Sequence, residues 1–158
     1  MLIEITDPRD DRLADYRDLT DVALRRRLEP ANGLYMAESG NVIERAIRVG
    51  HRPRSLLMAR RWLPLMEPVI AAACGSNGDP HGGEVPVFIA AEDVLRQVTG
   101  YNVHRGALAA MHRPELPRLE EIIGAAERSR IAVRENLVDH GNIGGAFRAG
   151  AAMGLDAM

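Results

Sequence analysis

Between Leu34 and Met111 the chain alternates short apolar runs with longer amphipathic stretches, and this alternation constrains the fold more than any other feature. Four apolar runs have the length of strands: 34–37, 55–58, 85–89 and 107–111. Three intervening stretches have the apolar spacing of helices: 39–50, 59–74 and 91–98. Ser39 is predicted to cap the first of these helices and Gly50 to end it. Such alternation is typical of an α/β domain.

The alternation stops at residues 112–117, where two prolines in six residues predict a stiff, extended linker. The predicted organisation is a domain at 1–112, a linker at 113–118 and a second region at 119–158. The elements predicted in that region are a helix at 119–128, a strand at 131–138, a tight turn at 139–142 and a helix at 143–154. Its 40 residues (158 − 118) are fewer than the roughly 50 of a small domain, so we expect it to be incomplete.

Composition limits the chemistry that the chain can perform. All 20 basic residues are arginine, which excludes Schiff bases and the phosphate-binding lysine of P-loops. Cys74 is the single cysteine, so no internal disulfide is possible and a reducing, cytoplasmic location is expected. The five histidines share no metal-ligand spacing, and no metal site is predicted. No apolar run approaches the roughly 20 residues that span a bilayer, so no membrane association is expected.

The net charge of −2 gives no global basic field, but the segment 38–61 is locally basic. It contains six arginines: Arg45, Arg48, Arg52, Arg54, Arg60 and Arg61. Because arginine holds phosphate well, these six are the candidate RNA-binding residues, and a solvated face is the alternative interpretation. The run 25–27, three arginines pointing three ways round a helix, is interpreted as solvated surface. Trp62 is interpreted as a core or rim contact.

The most specific stretch is 135–154, where a predicted strand passes through a glycine-containing turn into a helix. That helix contains Gly144, Gly145, Gly150 and Gly154, although each glycine inside a helix costs about 1 kcal/mol relative to alanine. Such a surface suits the close approach of a ligand or another chain segment. A P-loop is excluded because its Gly-Lys-Ser/Thr ending is absent. A Rossmann fingerprint is a poor match because G-x-G-x-x-G spacing is not present.

The same stretch resembles the first motif of the SpoU/TrmH branch of the SPOUT RNA methyltransferases. The matching residues are Asp139, Asn142, Gly144, Arg148 and Gly154 at their observed spacing. Upstream, 34–46 resembles the opening strand, acidic residue and helix of that family's substrate-binding domain, and 85–110 resembles its closing elements. Gly145, Phe147 and Ser39 depart from the residues usual at those positions. The resemblance covers essentially the whole chain.

The resemblance implies an α/β fold: a three-layer, ribosomal-protein-like RNA-substrate-binding domain, followed by the first strand and helix of a truncated SPOUT (α/β knot) domain. It implies methyl transfer from S-adenosylmethionine to a ribose 2′-hydroxyl of structured RNA, either rRNA or tRNA, by a homodimer. Asn142 and Arg148 match catalytic or substrate-positioning residues. The family's cofactor site is formed by a knotted C-terminal segment, so it is expected beyond residue 158, and this chain alone is expected to be inactive.

Simpler interpretations of the same residues stay open. Asn142 is also a suitable N-cap for the following helix, and Arg148 in isolation is typical of a solvated helix position. An arginine stays protonated in proteins and is a poor base, so positioning of a phosphate is expected before proton transfer. The alternative function for the chain is a non-catalytic RNA- or ribosome-binding module, and a second is a fragment of a nucleotide-binding oxidoreductase.

Overall fold

The computed structural model describes residues 1–20, 31–75, 84–104, 106–123, 128–136 and 140–158. The chain divides into two compact units, Met1–Pro114 and Glu115–Met158. The boundary between them falls inside the predicted linker, and residues 113–118 have neither helix nor strand. In the described ranges, no helix is long and apolar enough to cross a membrane. The arginine run 25–27 and Asp139 lie outside the described residues.

The first unit is a mixed α/β fold. Its strands are β1 (Leu2–Ile5), β2 (Leu34–Glu38), β3 (Pro53–Ala59), β4 (Val87–Ala90) and β5 (Ala107–His112). Its α-helices are α1 (Gly40–Arg48), α2 (Leu63–Gly75) and α3 (Glu92–Thr99), with 3-10 helices at Asp11–Tyr16 and Arg60–Trp62. The four strands and three helices that the alternation predicts between 34 and 111 are confirmed. β1 is an additional strand.

The five strands form one sheet in the order β1-β4-β3-β5-β2. β1, β4 and β3 are parallel, whereas β5 runs antiparallel to both β3 and β2. β2 therefore runs in the same direction as β3, with β5 between them. The carboxyl ends of β1, β2, β3 and β4 meet at one end of the sheet together with Gly106, which precedes β5. We call this end the carboxyl edge.

Helices cover both faces of this sheet. On one face Leu57, Phe88 and Leu108 pack with α3 and the Asp11–Tyr16 helix. On the other face a second set of strand residues packs with α1 and α2. The inner strands β3 and β5 are buried on both sides, which accounts for their nearly continuous apolar sequences.

The ends of α1 follow from two residues. The Ser39 hydroxyl accepts a hydrogen bond from the Val42 N–H at 3.4 Å, which caps the helix. Gly50 follows the end of the helix with a φ of +89°, a left-handed conformation that glycine adopts at little cost. Both predictions are confirmed. In α2, Pro64 lies in the first turn, where its missing N–H has no intrahelical partner to lose.

The second unit differs from the prediction. Its helices are α4 (Leu119–Ile123) and α5 (His140–Ala152). The helix predicted at 119–128 is observed over Leu119–Ile123, residue 128 is not helical, and 124–127 lie outside the described residues. The predicted strand at 131–138 is wrong over 132–136, because only Ile131 forms a bridge, parallel to Ala157. Val133 is 89% exposed and Asn136 has a φ of +59°, so this segment is neither buried nor extended throughout.

The helix α5 begins and ends differently from its predicted limits. The predicted tight turn at 139–142 is wrong over 140–142, which are helical. The helix stops at Ala152, and Gly154 takes a φ of +68° just beyond it. The Leu155 N–H then donates to the Gly150 carbonyl at 2.9 Å, which closes the helix end in a Schellman arrangement. Gly154 therefore terminates the helix. The destabilisation of about 1 kcal/mol that a glycine causes inside a helix does not apply to it.

Candidate functional site

The structure separates the six candidate arginines into two groups. Arg52 and Arg54 lie at the amino end of β3, whereas Arg60 and Arg61 follow its carboxyl end. Eight residues of extended chain between Arg52 and Arg60 correspond to about 26 Å. The sequence places these side chains in one basic segment, but the strand carries them to opposite ends of the sheet.

The first group lies away from the carboxyl edge. Arg45 and Arg48 occupy the last turn of α1, which starts at the carboxyl edge and runs away from it. Arg48 pairs with Glu44 at 2.7 Å, and Arg54 Nε lies 3.4 Å from an Asp15 carboxylate oxygen. Since exposed ion pairs contribute little energy, these guanidinium groups remain exchangeable.

The second group lies at the carboxyl edge. Arg60 pairs with Glu4, which lies on β1, and Arg61 pairs with Glu92 at the start of α3 at 2.9 Å. The Arg61 guanidinium also lies 5.3 Å from the ring centroid of Trp62. Each of these two cations therefore faces a carboxylate from a distant part of the sequence, and the local positive charge is smaller than the sequence indicates.

A cleft of about 700 Å³ opens at the carboxyl edge, between α1 and α2. It is lined by Ser39, Gly40, Asn41, Glu44, Trp62, Leu65, Met66, Pro68, Val69, Ala72 and Gly106. The cleft results from the order of the strands in the sheet. α1 and α2 follow β2 and β3, and because β5 separates those strands, the two helices start one strand apart. At Gly106 a Cβ would lie 3.4 Å from the Gly40 nitrogen, so the backbones approach closely there.

The cleft contains an unusual polar atom. Trp62 Nε1 is buried, and among the described residues it has no hydrogen-bond partner. Buried polar groups are normally paired, so this N–H is an exception, and its burial also shields it from the open cleft. The sequence does not indicate the cleft because its lining residues come from three separate segments, 39–44, 62–72 and Gly106. The sequence feature that could have indicated this site is Trp62, which directly follows two arginines and a predicted strand.

In the second unit Arg148 lies on the exposed surface of α5. A Cβ on Gly144 would lie 3.3 Å from Arg148 Nη1, and one on Gly145 would lie 4.0 Å from Nη2. The guanidinium therefore folds back over residues i−4 and i−3, the direction that helical side chains favour. Within the described part of the chain, no carboxylate pairs with Arg148. Its hydrogen-bond donors face solvent. The adjacent helix surface at Gly144 and Gly145 carries no side chains.

Asn142 is the third residue of α5, so the prediction that it is the N-cap is wrong, because the helix begins at His140. Its side chain is exposed. Six residues separate Asn142 from Arg148, which corresponds to about 9 Å along the helix axis and about 120° around it. The two side chains do not share one helix face. A ligand that contacts both has to span the first turns of the helix.

Gly150 shows the close chain approach that the glycine-rich sequence suggests. A Cβ there would lie 2.7 Å from Met158 Cε and 3.1 Å from Leu155 Cδ1. The segment after the helix packs directly on its backbone. In the described residues of both units, no group of three His, Cys, Asp or Glu side chains is arranged to hold a metal ion.

Comparison with known proteins identifies relatives of the chain. No family model matches the sequence. An uncharacterized tRNA/rRNA methyltransferase from Mycobacterium bovis is 31% identical over 155 residues, which cover 98% of this chain and 50% of that protein. Proteins of the same description from two strains of Mycobacterium tuberculosis match equally well. The chain is therefore similar in sequence to proteins described as uncharacterized tRNA/rRNA methyltransferases.

Solved structures of RNA methyltransferases share the fold. An rRNA methyltransferase from Sinorhizobium meliloti superimposes with a TM-score of 0.62 at 20% identity, over 98% of this chain and 52% of that protein. An RNA 2′-O ribose methyltransferase gives 0.59 at 21% identity, over 98% and 53%. The S. meliloti enzyme has also been solved with AdoMet bound, with a TM-score of 0.63 at 19% identity. The chain spans about half the length of the curated relatives it matches.

Proposed function

We propose that the chain forms part of an RNA 2′-O-methyltransferase that acts on rRNA or tRNA as a cytoplasmic homodimer. In this proposal Met1–Pro114 is a three-layer, ribosomal-protein-like domain that binds the RNA substrate, and Glu115–Met158 is the first part of a SPOUT catalytic domain. Support comes from the tRNA/rRNA methyltransferase relatives, whose 31% identity extends over nearly the whole chain. The likeness to an RNA 2′-O ribose methyltransferase supports the choice of the ribose hydroxyl.

The observation that carries the proposal is the placement of Arg148. Its guanidinium is exposed, lies over Gly144 and Gly145, and is not paired with a carboxylate of the described residues. A guanidinium presents a planar fork of donors that holds two phosphate oxygens at once. The glycines leave room for a sugar–phosphate chain beside it. An arginine that only stabilised the helix would have no need of this open surface.

The role of Arg148 follows from the chemistry of the substrate. A ribose hydroxyl is a poor nucleophile that must lose its proton during the reaction. Because a guanidinium stays protonated in proteins and is a poor base, Arg148 is assigned to positioning: it holds the phosphate next to the reactive ribose. Fixing that phosphate orients the 2′-hydroxyl, and misplacement by about 1 Å costs about 100-fold in rate.

S-adenosylmethionine is the proposed methyl donor, in line with the AdoMet-bound S. meliloti structure. Arg148 carries the same positive charge as the sulfonium centre of that molecule, and neither Arg148 nor Asn142 is predicted to be a cofactor ligand. We therefore assign no residue of this chain to the cofactor. Its site is expected in the half of the relatives that this chain does not span.

The test is Arg148→Ala in a protein that also contains that other half, with methyl transfer to an RNA transcript as the readout. We expect kcat/KM to fall about 100-fold. Arg128→Ala, which removes an exposed arginine elsewhere in the same unit, is the matched control and should leave kcat/KM within about twofold. Unchanged turnover in Arg148→Ala would remove the assignment.

A further inference from the structure

We propose that the cleft between α1 and α2 binds one unpaired nucleobase of the RNA. This inference rests on the proposed function, since it takes RNA as the ligand. It adds a binding site in the first unit, far along the sequence from Arg148, and it commits to a neutral, planar heterocycle as the occupant.

The size and walls of the cleft suit such an occupant. Its volume of about 700 Å³ lies in the range of small-molecule sites, roughly 300–1,000 Å³. Trp62, Leu65, Met66 and Val69 contribute apolar surface, and Leu65 is 66% exposed at the rim. Bases stack on aromatic side chains, with about 1–3 kcal/mol per base in single-stranded complexes. The thioether of Met66 also makes favourable contacts with aromatic rings.

The polar groups of the cleft include both donors and acceptors. Asn41 supplies an amide, Glu44 a carboxylate and Ser39 a hydroxyl, and all three line the cleft. Trp62 Nε1 also has no partner among the described residues, but its burial keeps it out of reach of a ligand in the cleft. The Watson–Crick edge of a base offers donors and acceptors side by side, and such edges are read when the base is splayed out of a stack. An unpaired base therefore satisfies groups that an apolar ligand would leave without partners.

The charges favour a base inside the cleft and phosphates outside it. None of the residues that line the cleft is basic, and Glu44 is already paired with Arg48 at 2.7 Å, so a phosphate group would meet no unpaired cation there. Arg60 and Arg61 immediately precede Trp62 in the sequence, but their guanidinium groups pair with Glu4 and Glu92, which do not line the cleft. We therefore assign the base to the cleft and assign no residue to the backbone phosphates.

The single tryptophan of the chain makes the proposal directly measurable, because all tryptophan emission comes from Trp62. The probe is a short mixed-sequence single-stranded RNA with a dye at its 5′ end, and anisotropy of the dye reports binding independently of the cleft. We expect this RNA to quench Trp62 emission with the same Kd as the anisotropy change. An oligonucleotide of abasic ribose phosphates should bind more weakly, by about tenfold, and should not quench. A fully paired duplex should also leave the emission unchanged.

A matched pair of variants tests the location. Ala71 and Ala72 are adjacent, exposed residues of α2, but only Ala72 lines the cleft. Ala72→Leu fills the cleft and is expected to raise the Kd about tenfold and to abolish quenching. Ala71→Leu adds the same side chain outside the cleft and should behave as the unsubstituted protein. Thermal unfolding of both variants verifies that each is folded.

The outcomes separate the two proposals. If Ala72→Leu binds and quenches as the unsubstituted protein does, or if abasic or duplex RNA quenches equally, the cleft does not hold an unpaired base. Anisotropy would still register RNA binding in those cases, and the proposed function would stand. If none of the RNAs binds by anisotropy, RNA binding by this unit fails and the inference fails with it.

Discussion

Tyr16 provides the sharpest test of how the first unit is held together. Its hydroxyl lies 2.8 Å from the Ser55 hydroxyl and accepts the Ala110 N–H at 3.3 Å. The side chain is fully buried, and burial raises the pKa of Tyr16 well above its ordinary value, so the hydroxyl is neutral throughout the working pH range. This one atom joins the Asp11–Tyr16 helix to β3 and β5. Tyr16→Phe removes the hydroxyl but keeps the ring and its edge contact with Phe88.

The expected loss of unfolding free energy follows from the burial of the polar groups that Tyr16→Phe leaves without a partner. Ser55 is 4% exposed, so water cannot easily replace the lost hydrogen bond. An unsatisfied buried polar group costs about 1–3 kcal/mol, and we expect Tyr16→Phe to lower the free energy of unfolding by about 2 kcal/mol. Ser55→Ala should cost about 1 kcal/mol, because Tyr16 keeps the Ala110 donor. The double variant should cost about 1 kcal/mol less than the sum, since the two hydroxyls share one hydrogen bond.

The assay is urea unfolding of the chain followed by circular dichroism. With a urea dependence of about 1–3 kcal/mol per molar for small domains, a loss of 2 kcal/mol lowers the midpoint by about 1 M. Tyr35→Phe is the control: its hydroxyl bonds His51 Nδ1 at 2.5 Å at a half-buried site, where water can substitute. We expect its midpoint to move less than half as far. An unchanged midpoint for Tyr16→Phe, or strict additivity with Ser55→Ala, would refute the reasoning.

Two further predictions concern α5 and the first 3-10 helix. Gly144→Ala and Gly145→Ala should each raise helix stability by about 1 kcal/mol in thermal unfolding, but only the first crowds the Arg148 guanidinium and should lower methyl transfer, by about tenfold. Equal turnover in the two variants would contradict this. Hydrogen bonds from the side chain and backbone of Arg12 lower the pKa of Asp10 from 3.8 to about 2. Because the folded pKa is depressed, this stabilisation is complete above about pH 4 and is lost as the pH falls to about 2. Asp10→Asn should flatten acid unfolding over that window, and an identical acid transition in the variant would exclude this contribution.

The elements that were predicted correctly are those whose signals are local. β2 to β5 are short apolar runs, and α1 has its cap and its terminating glycine within the same stretch of sequence. The strand β1 is not predicted from local sequence because it has only four residues and Leu2 is 55% exposed. Its pairing partner β4 lies more than 80 residues away, so the pairing that makes it a strand is non-local.

The second unit shows the opposite error. The run from Ile131 has the composition of a strand, yet it gains only a single bridge, to Ala157. Strand composition reflects a fit to a half-buried pleated surface, and in this segment no described strand provides one. Likewise His140 and Asn142 join the helix although the glycine between them is typical of a turn.

The arginines show why a site is harder to predict than a fold. Arg52 and Arg60 are near in sequence, which predicts one basic patch. They flank the extended strand β3, however, so they lie at its opposite ends. Their charge balance depends on partners from elsewhere, such as Glu4 on β1 and Glu92 at the start of α3. Sequence proximity thus predicts neither the position nor the net charge of the surface.

The cleft depends on strand order more than on any single side chain. If β2 and β3 were neighbours, α1 and α2 would start side by side and pack along their whole length, as helices on parallel strands do. The antiparallel β5 between them, entered through Gly106, keeps the first turns of the two helices apart. Arg60 and Arg61 follow the strand from which α2 departs, but they pair with Glu4 and Glu92, which do not line the cleft. A gap created by topology survives the removal of most lining side chains, so filling it with Ala72→Leu is a stronger test than truncating its walls.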